Sequence, residues 1–255
     1  MAPNSTVVTE ACTQYVKILT FGDSLTEGYH RCGFSFHPYS IELERRVDAM
    51  SVPGKQKEAM IHQLGESGEF TGHMIPRLAK ILSRAEQSSC PYQVVCILAG
   101  TNDLSSDDSA EEIFHRLKDM YQQVLAHGRD EDSDSGKSKS ATSTSTVLVT
   151  ITIPQAAFLD TEYVERREAI NSLIKEFSSS SSSSSSSGDG EGGGGGGGGE
   201  VVCVDLEQDM PYLTPAGHRD EQLWDDALHM TPAGYDRLGG LVFTALEGRL
   251  QRMLL

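Results

Sequence analysis

Residues Lys17–Tyr29 read KILTFGDSLTEGY, an apolar run that ends at Gly22-Asp23-Ser24 and passes directly into a helix-like segment. A strand that turns at once into a helix is the opening of a βαβ unit, provided the rest of the chain repeats the pattern. Four further strand candidates do so: Met60–Leu64, Gln93–Leu98, Thr146–Ile153 and Val201–Leu206. Helix-like segments alternate with them, chiefly Ser40–Val47, Met74–Ser83, Ala110–Ala126, Asp160–Phe177 and Pro232–Met253. The strand runs are apolar on both faces rather than alternating, which suits a buried parallel sheet. The expectation is a three-layer α/β/α sandwich, flavodoxin-like, around a parallel sheet of about five strands. A single domain over residues 1–255 is expected, with its core at about 16–250, because the sequence shows no domain boundary.

Ser24 itself has two readings. Followed three residues later by Glu27, it forms a capping box, in which each side chain satisfies an orphan backbone N–H. At a strand end and helix start it is also where a nucleophile gains an exposed hydroxyl. The two remain open on these residues alone.

Composition narrows the partners. With 37 acidic against 21 basic residues, the net charge of −16 argues against nucleic acid and anionic membrane surfaces, both of which reward clustered Lys and Arg. The N-terminus shows no basic stretch followed by an apolar one, and no apolar run is long enough to span a bilayer. Cys12, Cys32, Cys90, Cys96 and Cys203 have no C-x-x-C spacing, so reduced thiols and a cytoplasmic location are expected.

Two stretches break the alternation, residues 128–146 (GRDEDSDSGKSKSATSTST) and residues 178–200, a serine tract followed by a glycine tract. Neither can bury a core, and both are expected to be flexible insertions. The glycine run precedes a strand instead of following one and lacks a Lys-Ser/Thr, which argues against a phosphate-binding loop.

In a parallel sheet, ligand-binding groups gather beyond the carboxyl ends of the strands. Gly22-Asp23-Ser24-Leu25 follows the first strand, Gly65-Glu66-Ser67-Gly68 the second and Gly100-Thr101-Asn102-Asp103 the third, while WDDALHMTPAGY (224–235) lies beyond the fifth. These ordered blocks resemble those of the GDSL, or SGNH, hydrolase family, named for its Ser, Gly, Asn and His. The resemblance spans about Val16 to Leu250, insertions excluded. It implies an ester hydrolase (esterase or lipase type) with Ser24 as nucleophile, His229 as general base and Asp226 as its orienting acid. It further implies an oxyanion hole from the backbone N–H groups of Ser24 and Gly68 and the side-chain amide of Asn102. The substrate implied is a small-molecule ester, cleaved without cofactor or metal; thioesters, acetylated carbohydrates and acyl transfer belong to the same family, and a non-catalytic binding module is the rival.

The chemistry fits those residue types. A serine hydroxyl is a poor nucleophile until an imidazole accepts its proton, and a carboxylate fixes the imidazole tautomer. Asp226 and His229 lie three apart, so a turn can join them; Asp225 is the rival carboxylate, one residue further away. Each block also has a structural reading: Asn102 and Asp103 could cap the helix near Ala110, Gly65, Gly68 and Gly100 could serve positive φ, and His229 could pack beside a helix opened by Thr231-Pro232. Thr101 and Met230 depart from the family pattern without removing a catalytic group. The absence of G-x-S-x-G argues against an α/β-hydrolase elbow. The remaining histidines show no metal-ligand spacing. The aromatic-rich segment GYHRCGFSFHPYS (28–40) reads equally as core or as pocket lining, and the loop at Pro154–Leu159 could form another wall.

Overall fold

The computed structural model describes residues 14–127, 145–158, 160–183 and 199–255. Five parallel strands form the sheet: β1 (Tyr15–Gly22), β2 (Glu58–Gly65), β3 (Val94–Leu98), β4 (Val147–Ile151) and β5 (Val201–Val204). Their spatial order is β2-β1-β3-β4-β5, the doubly wound, flavodoxin-like order. The principal helices are α1 (Ser40–Asp48), α2 (Thr71–Gln87), α3 (Ala110–Ala126), α4 (Thr161–Ser183) and α5 (Pro232–Leu254). The expected three-layer α/β/α sandwich is the observed one.

Alternate residues of each strand serve opposite faces, and each face has its own core. On one side Val16 and Ile18 of β1, Cys96 and Leu98 of β3, and Val149 of β4 pack with Leu43 of α1 and Leu238 and Leu246 of α5. On the other, Leu19 and Phe21 of β1, Val95 and Ile97 of β3, and Leu148 of β4 pack with Leu78 of α2, Leu117 of α3 and Ile170 of α4. Burial on both faces is why these strands read as continuous apolar runs.

The register places the site. Gly22 pairs with Gly65 of β2 and Leu98 of β3, so three strands end level and their following loops open onto one rim. Arg77 of α2 holds that rim from beneath: its guanidinium donates to Gly22 O and Leu64 O, each at 3.1 Å, pairs with Glu69, and lies 4.1 Å from the Phe21 ring centroid. Thr231 caps α5 by accepting from Gly234 N–H, with Pro232 in the first turn, as its sequence anticipates. Ser109 and Glu112 form a capping box at α3, so neither Asn102 nor Asp103 is needed there.

Three expectations change. Ser178–Ser183, assigned to a flexible insertion, continue helix α4; Ser178 is buried, with its hydroxyl 2.8 Å from Thr150 Oγ1 and 2.8 Å from Ile174 O. Of the two insertions, residues 128–144 and 184–198 lie outside the described residues, and Thr146 is buried at the entry to β4. Cys90 is disulfide-bonded while Cys32, Cys96 and Cys203 are free, so the expectation of reduced thiols fails at Cys90. With it goes the cysteine argument for a cytoplasmic location. Among the described residues no helix is long and apolar enough to cross a membrane.

Candidate active site

Ser24 opens a four-residue helix, Ser24–Glu27, directly after β1. Of the two readings of Ser24, the capping box is absent: Asp23 is the N-cap, its Oδ1 accepting from Leu25 N–H at 3.0 Å. Glu27 turns instead toward the loop after β2, accepting from Ser67 N–H at 3.0 Å and from the Ser67 hydroxyl. Ser24 is therefore spared from capping. Its Oγ lies 3.1 Å from His229 Nε2.

His229 comes from the long connection between β5 and α5. That connection is pinned by Trp224, which is buried, donates to Pro211 O at 3.2 Å and pairs with Met230 in an isolated β-bridge. His229 Nδ1 lies 2.9 Å from Asp226 Oδ2, while Asp226 Oδ1 accepts from the backbone N–H groups of Leu228 at 2.8 Å and His229 at 2.6 Å. Burial pushes the Asp226 carboxyl up, but these hydrogen bonds from His229 and Leu228 outweigh it and hold the group below its ordinary range. A carboxylate only accepts, so Nδ1 carries the proton, and the Nε2 of the neutral ring is left to accept from Ser24. The rival carboxylate has other work: Asp225 Oδ2 accepts from Arg31 N–H at 2.6 Å.

The two candidate oxyanion donors outside Ser24 are linked through one turn. Gly68 has φ of +79°, a conformation that favours glycine, and sits between Ser67, tied to Glu27, and Glu69, whose carbonyl accepts from Asn102 Nδ2 at 2.9 Å. One of the two Asn102 amide protons is thus engaged. Gly65 does not have positive φ; it is there for close approach, since a Cβ would stand 2.3 Å from Glu27 N and 2.7 Å from Asp23 O. Asp103, almost fully buried, accepts from Thr71 N–H at 3.0 Å and from Arg116 at 3.2 Å, joining the loop after β3 to the start of α2 and to α3.

Several roles at this rim were not legible in the sequence. Glu27 and Arg77 act on partners far along the chain, and Tyr29 lies with its ring centroid 4.4 Å from that of His229. Only the aromatic density of 28–40 hinted at the last of these.

A parallel α/β sandwich with serine, imidazole and carboxylate in series at its carboxyl rim defines a class of serine-dependent hydrolases. The sequence places the chain within it: the model of the GDSL-like Lipase/Acylhydrolase family matches residues 20–182, and the chain belongs to that family of ester hydrolases. Similar solved structures include Est24, a carbohydrate acetylesterase from Sinorhizobium meliloti, with 18% identity, TM-score 0.58, and 91% of this chain and 99% of that one covered. The M. smegmatis aryl esterase has 16% identity and TM-score 0.59, with 94% and 99% covered. The esterase EstA from Pseudoalteromonas sp. has 14% identity and TM-score 0.59, with 92% and 98% covered. At these identities the likeness is one of fold. No curated protein matches the sequence.

Proposed function

We propose that the chain cleaves small carboxylic esters through an acyl-enzyme on Ser24, with His229 as general base and Asp226 as the carboxylate that orients it. The observation that carries this reading is the unbroken series from Ser24 Oγ to His229 Nε2 at 3.1 Å and from His229 Nδ1 to Asp226 at 2.9 Å. As Ser24 Oγ bonds to the ester carbonyl carbon, its proton passes to Nε2. The N–H groups of Ser24 and Gly68 and the side-chain amide of Asn102 are the donors for the oxyanion. Collapse of the tetrahedral intermediate breaks the bond to the alcohol oxygen, which takes the proton from His229. Water, deprotonated by the same imidazole, then releases the acid and restores Ser24.

The test is labelling with a serine-directed fluorophosphonate, followed by peptide mapping and ester turnover. Label on the Ser24 peptide, with label and turnover both lost in Ser24→Ala, is the expected result. Label on another serine, or most of the turnover surviving in folded Ser24→Ala, would overturn the assignment.

A further inference from the structure

Beyond the short Ser24 helix the chain folds into a small antiparallel hairpin, Tyr29–His30 against Ser35–Phe36. Its apolar side chains are out of the core: Phe36 is 50% exposed and Phe34 is 88% exposed. Phe70, Phe158 and Leu213, also exposed, lie in the segments after β2, β4 and β5, on the same carboxyl rim. Large apolar side chains left exposed on the rim that carries Ser24 suit an uncharged ligand.

The hairpin is fixed to the general base rather than to the oxyanion side. Tyr29 lies 4.4 Å from His229 between ring centroids, and Phe36 meets Tyr29 edge-on at 6.0 Å. Gly33 lets the hairpin tip close on Tyr29, since a Cβ there would stand 2.8 Å from the ring. Arg31 N–H donates to Asp225, next to Asp226 in sequence, and the Tyr29 carbonyl accepts from the Tyr235 hydroxyl at 2.7 Å. Hairpin and base therefore hold one relative position.

Chemistry then says which half of the ester lies beside that hairpin. The imidazole that took the Ser24 proton must hand it to the departing alkoxide, so the leaving oxygen sits within hydrogen-bond reach of Nε2. The alcohol portion thus extends on the His229 side of the carbonyl carbon, and the oxyanion points to Gly68 and Asn102. We infer that the aromatic step Tyr29–Phe36, extended by Phe34, is the subsite for the alcohol portion of the ester and selects an uncharged, apolar alcohol of butyl size or larger. This rests on the roles proposed above for Ser24 and His229.

The experiment compares kcat/KM for acetate esters of methanol, butanol, hexanol and benzyl alcohol with that for methyl esters of acetic, butanoic and hexanoic acids. All acetates share one acyl-enzyme, so alcohol recognition is read in kcat/KM, through acylation. A buried methylene contributes roughly three- to fourfold in binding. The hexyl-to-methyl acetate ratio should exceed about tenfold in the native chain and fall about tenfold in Phe36→Ser. Phe34→Ser, at a side chain too exposed to affect folding, should lower the same ratio about threefold. Leu255→Ser, an exposed apolar site beside the amino end of β2, should change neither ratio nor activity. The acyl-chain ratio should hold within about twofold throughout. A fall in the acyl ratio instead, an unchanged alcohol ratio in both Phe variants, or no alcohol preference in the native chain would overturn this inference alone. Absence of any Ser24-dependent turnover would overturn the proposed mechanism and this inference with it.

Discussion

Ser24 is free to face His229 because Asp23 does the capping, and that division of labour gives the two residues different mutational signatures. Ser24→Ala removes no cap, so stability measured in urea should stay within about 1 kcal/mol of the native chain. Asp226→Asn should lower kcat by about 10²–10⁴, since the amide has a single acceptor oxygen, which the Leu228 and His229 N–H groups claim, and its NH2 then faces Nδ1 and favours the wrong imidazole tautomer. Asp225→Asn keeps an acceptor for Arg31 N–H and should cost less than about fivefold; the reverse ranking would sink the Asp226 assignment. Asp23 is the more unusual group. It is fully buried, its Oδ2 has no hydrogen-bond partner among the described residues, and burial, reinforced by the charges of Asp103 and Glu69, pushes its carboxyl up to about 7. Between its ordinary value of 3.8 and about 7, the folded chain holds a proton that the unfolded chain has lost. Stability from this residue is therefore present at low pH and declines as pH rises through that window. His30, His62 and His127 act in the opposite sense: burial lowers each, so the unfolded chain binds protons first as pH falls below 6.5, and stability rises with pH there. Comparing Asp23→Asn with the native chain cancels the histidines. Asparagine cannot ionise, so the variant should gain on the native chain between pH 5 and pH 8. The gain is on the order of 1.4 kcal/mol for each pH unit over which the folded and unfolded native chains differ by that proton. Urea unfolding that gives the same difference at both pH values would show that Asp23 does not titrate in this range.

Among the elements, the turn that carries Gly68 shows what a sequence reading can and cannot reach. Local signals were legible: Thr231-Pro232 opens α5, and apolar runs mark the five strands. Asp226 and His229 also meet as their spacing suggested, because three residues suffice for a turn. Glu27 reads locally as half of a capping box, yet its carboxylate is taken by Ser67, forty residues away. Nothing in a local pattern distinguishes those partners. The serine tract misled for the opposite reason: serine has only middling helix propensity, but α4 already exists, and Ser178 gains a buried partner on β4 that carries it onward. The Gly68 turn is held at both shoulders, by Glu27 through Ser67 and by Asn102 through Glu69. Glu27→Ala should therefore lower kcat roughly tenfold with KM changed less than about twofold, because an oxyanion donor matters most in the transition state. A rise in KM with kcat intact would make Glu27 a substrate-binding residue instead. Gly65→Ala should destabilise by about 1–3 kcal/mol or more, since its Cβ meets backbone on the nucleophile turn and backbone cannot move aside like a side-chain tip.

For the whole molecule, the parallel sheet places the two ends of the connection between α4 and β5, Ser183 and Gly199, away from the rim that carries Ser24. Ser24, Gly68 and Asn102 lie beyond carboxyl ends of strands, whereas residues 184–198 join the end of α4 to the entry of β5. Gly199 marks that entry: a Cβ there would stand 2.9 Å from Thr146 O, immediately before β4. The distance to be bridged follows from the same contacts. Ser178 lies level with Thr150 of β4, four strand residues or about 13 Å from Thr146, and the helix covers roughly 7 Å of that length by Ser183. An eight-residue linker reaches about 26–29 Å when extended, which spans the gap with room for the helix-to-sheet offset. Replacing residues 184–198 with about eight Gly and Ser residues should leave kcat and KM within about twofold, and stability within about 1 kcal/mol, because closure entropy varies only slowly with loop length. Kinetics and urea unfolding of the shortened chain check both numbers. A tenfold loss of kcat in a shortened chain that unfolds with native cooperativity would mean that this connection reaches the carboxyl rim, although its two ends lie away from it.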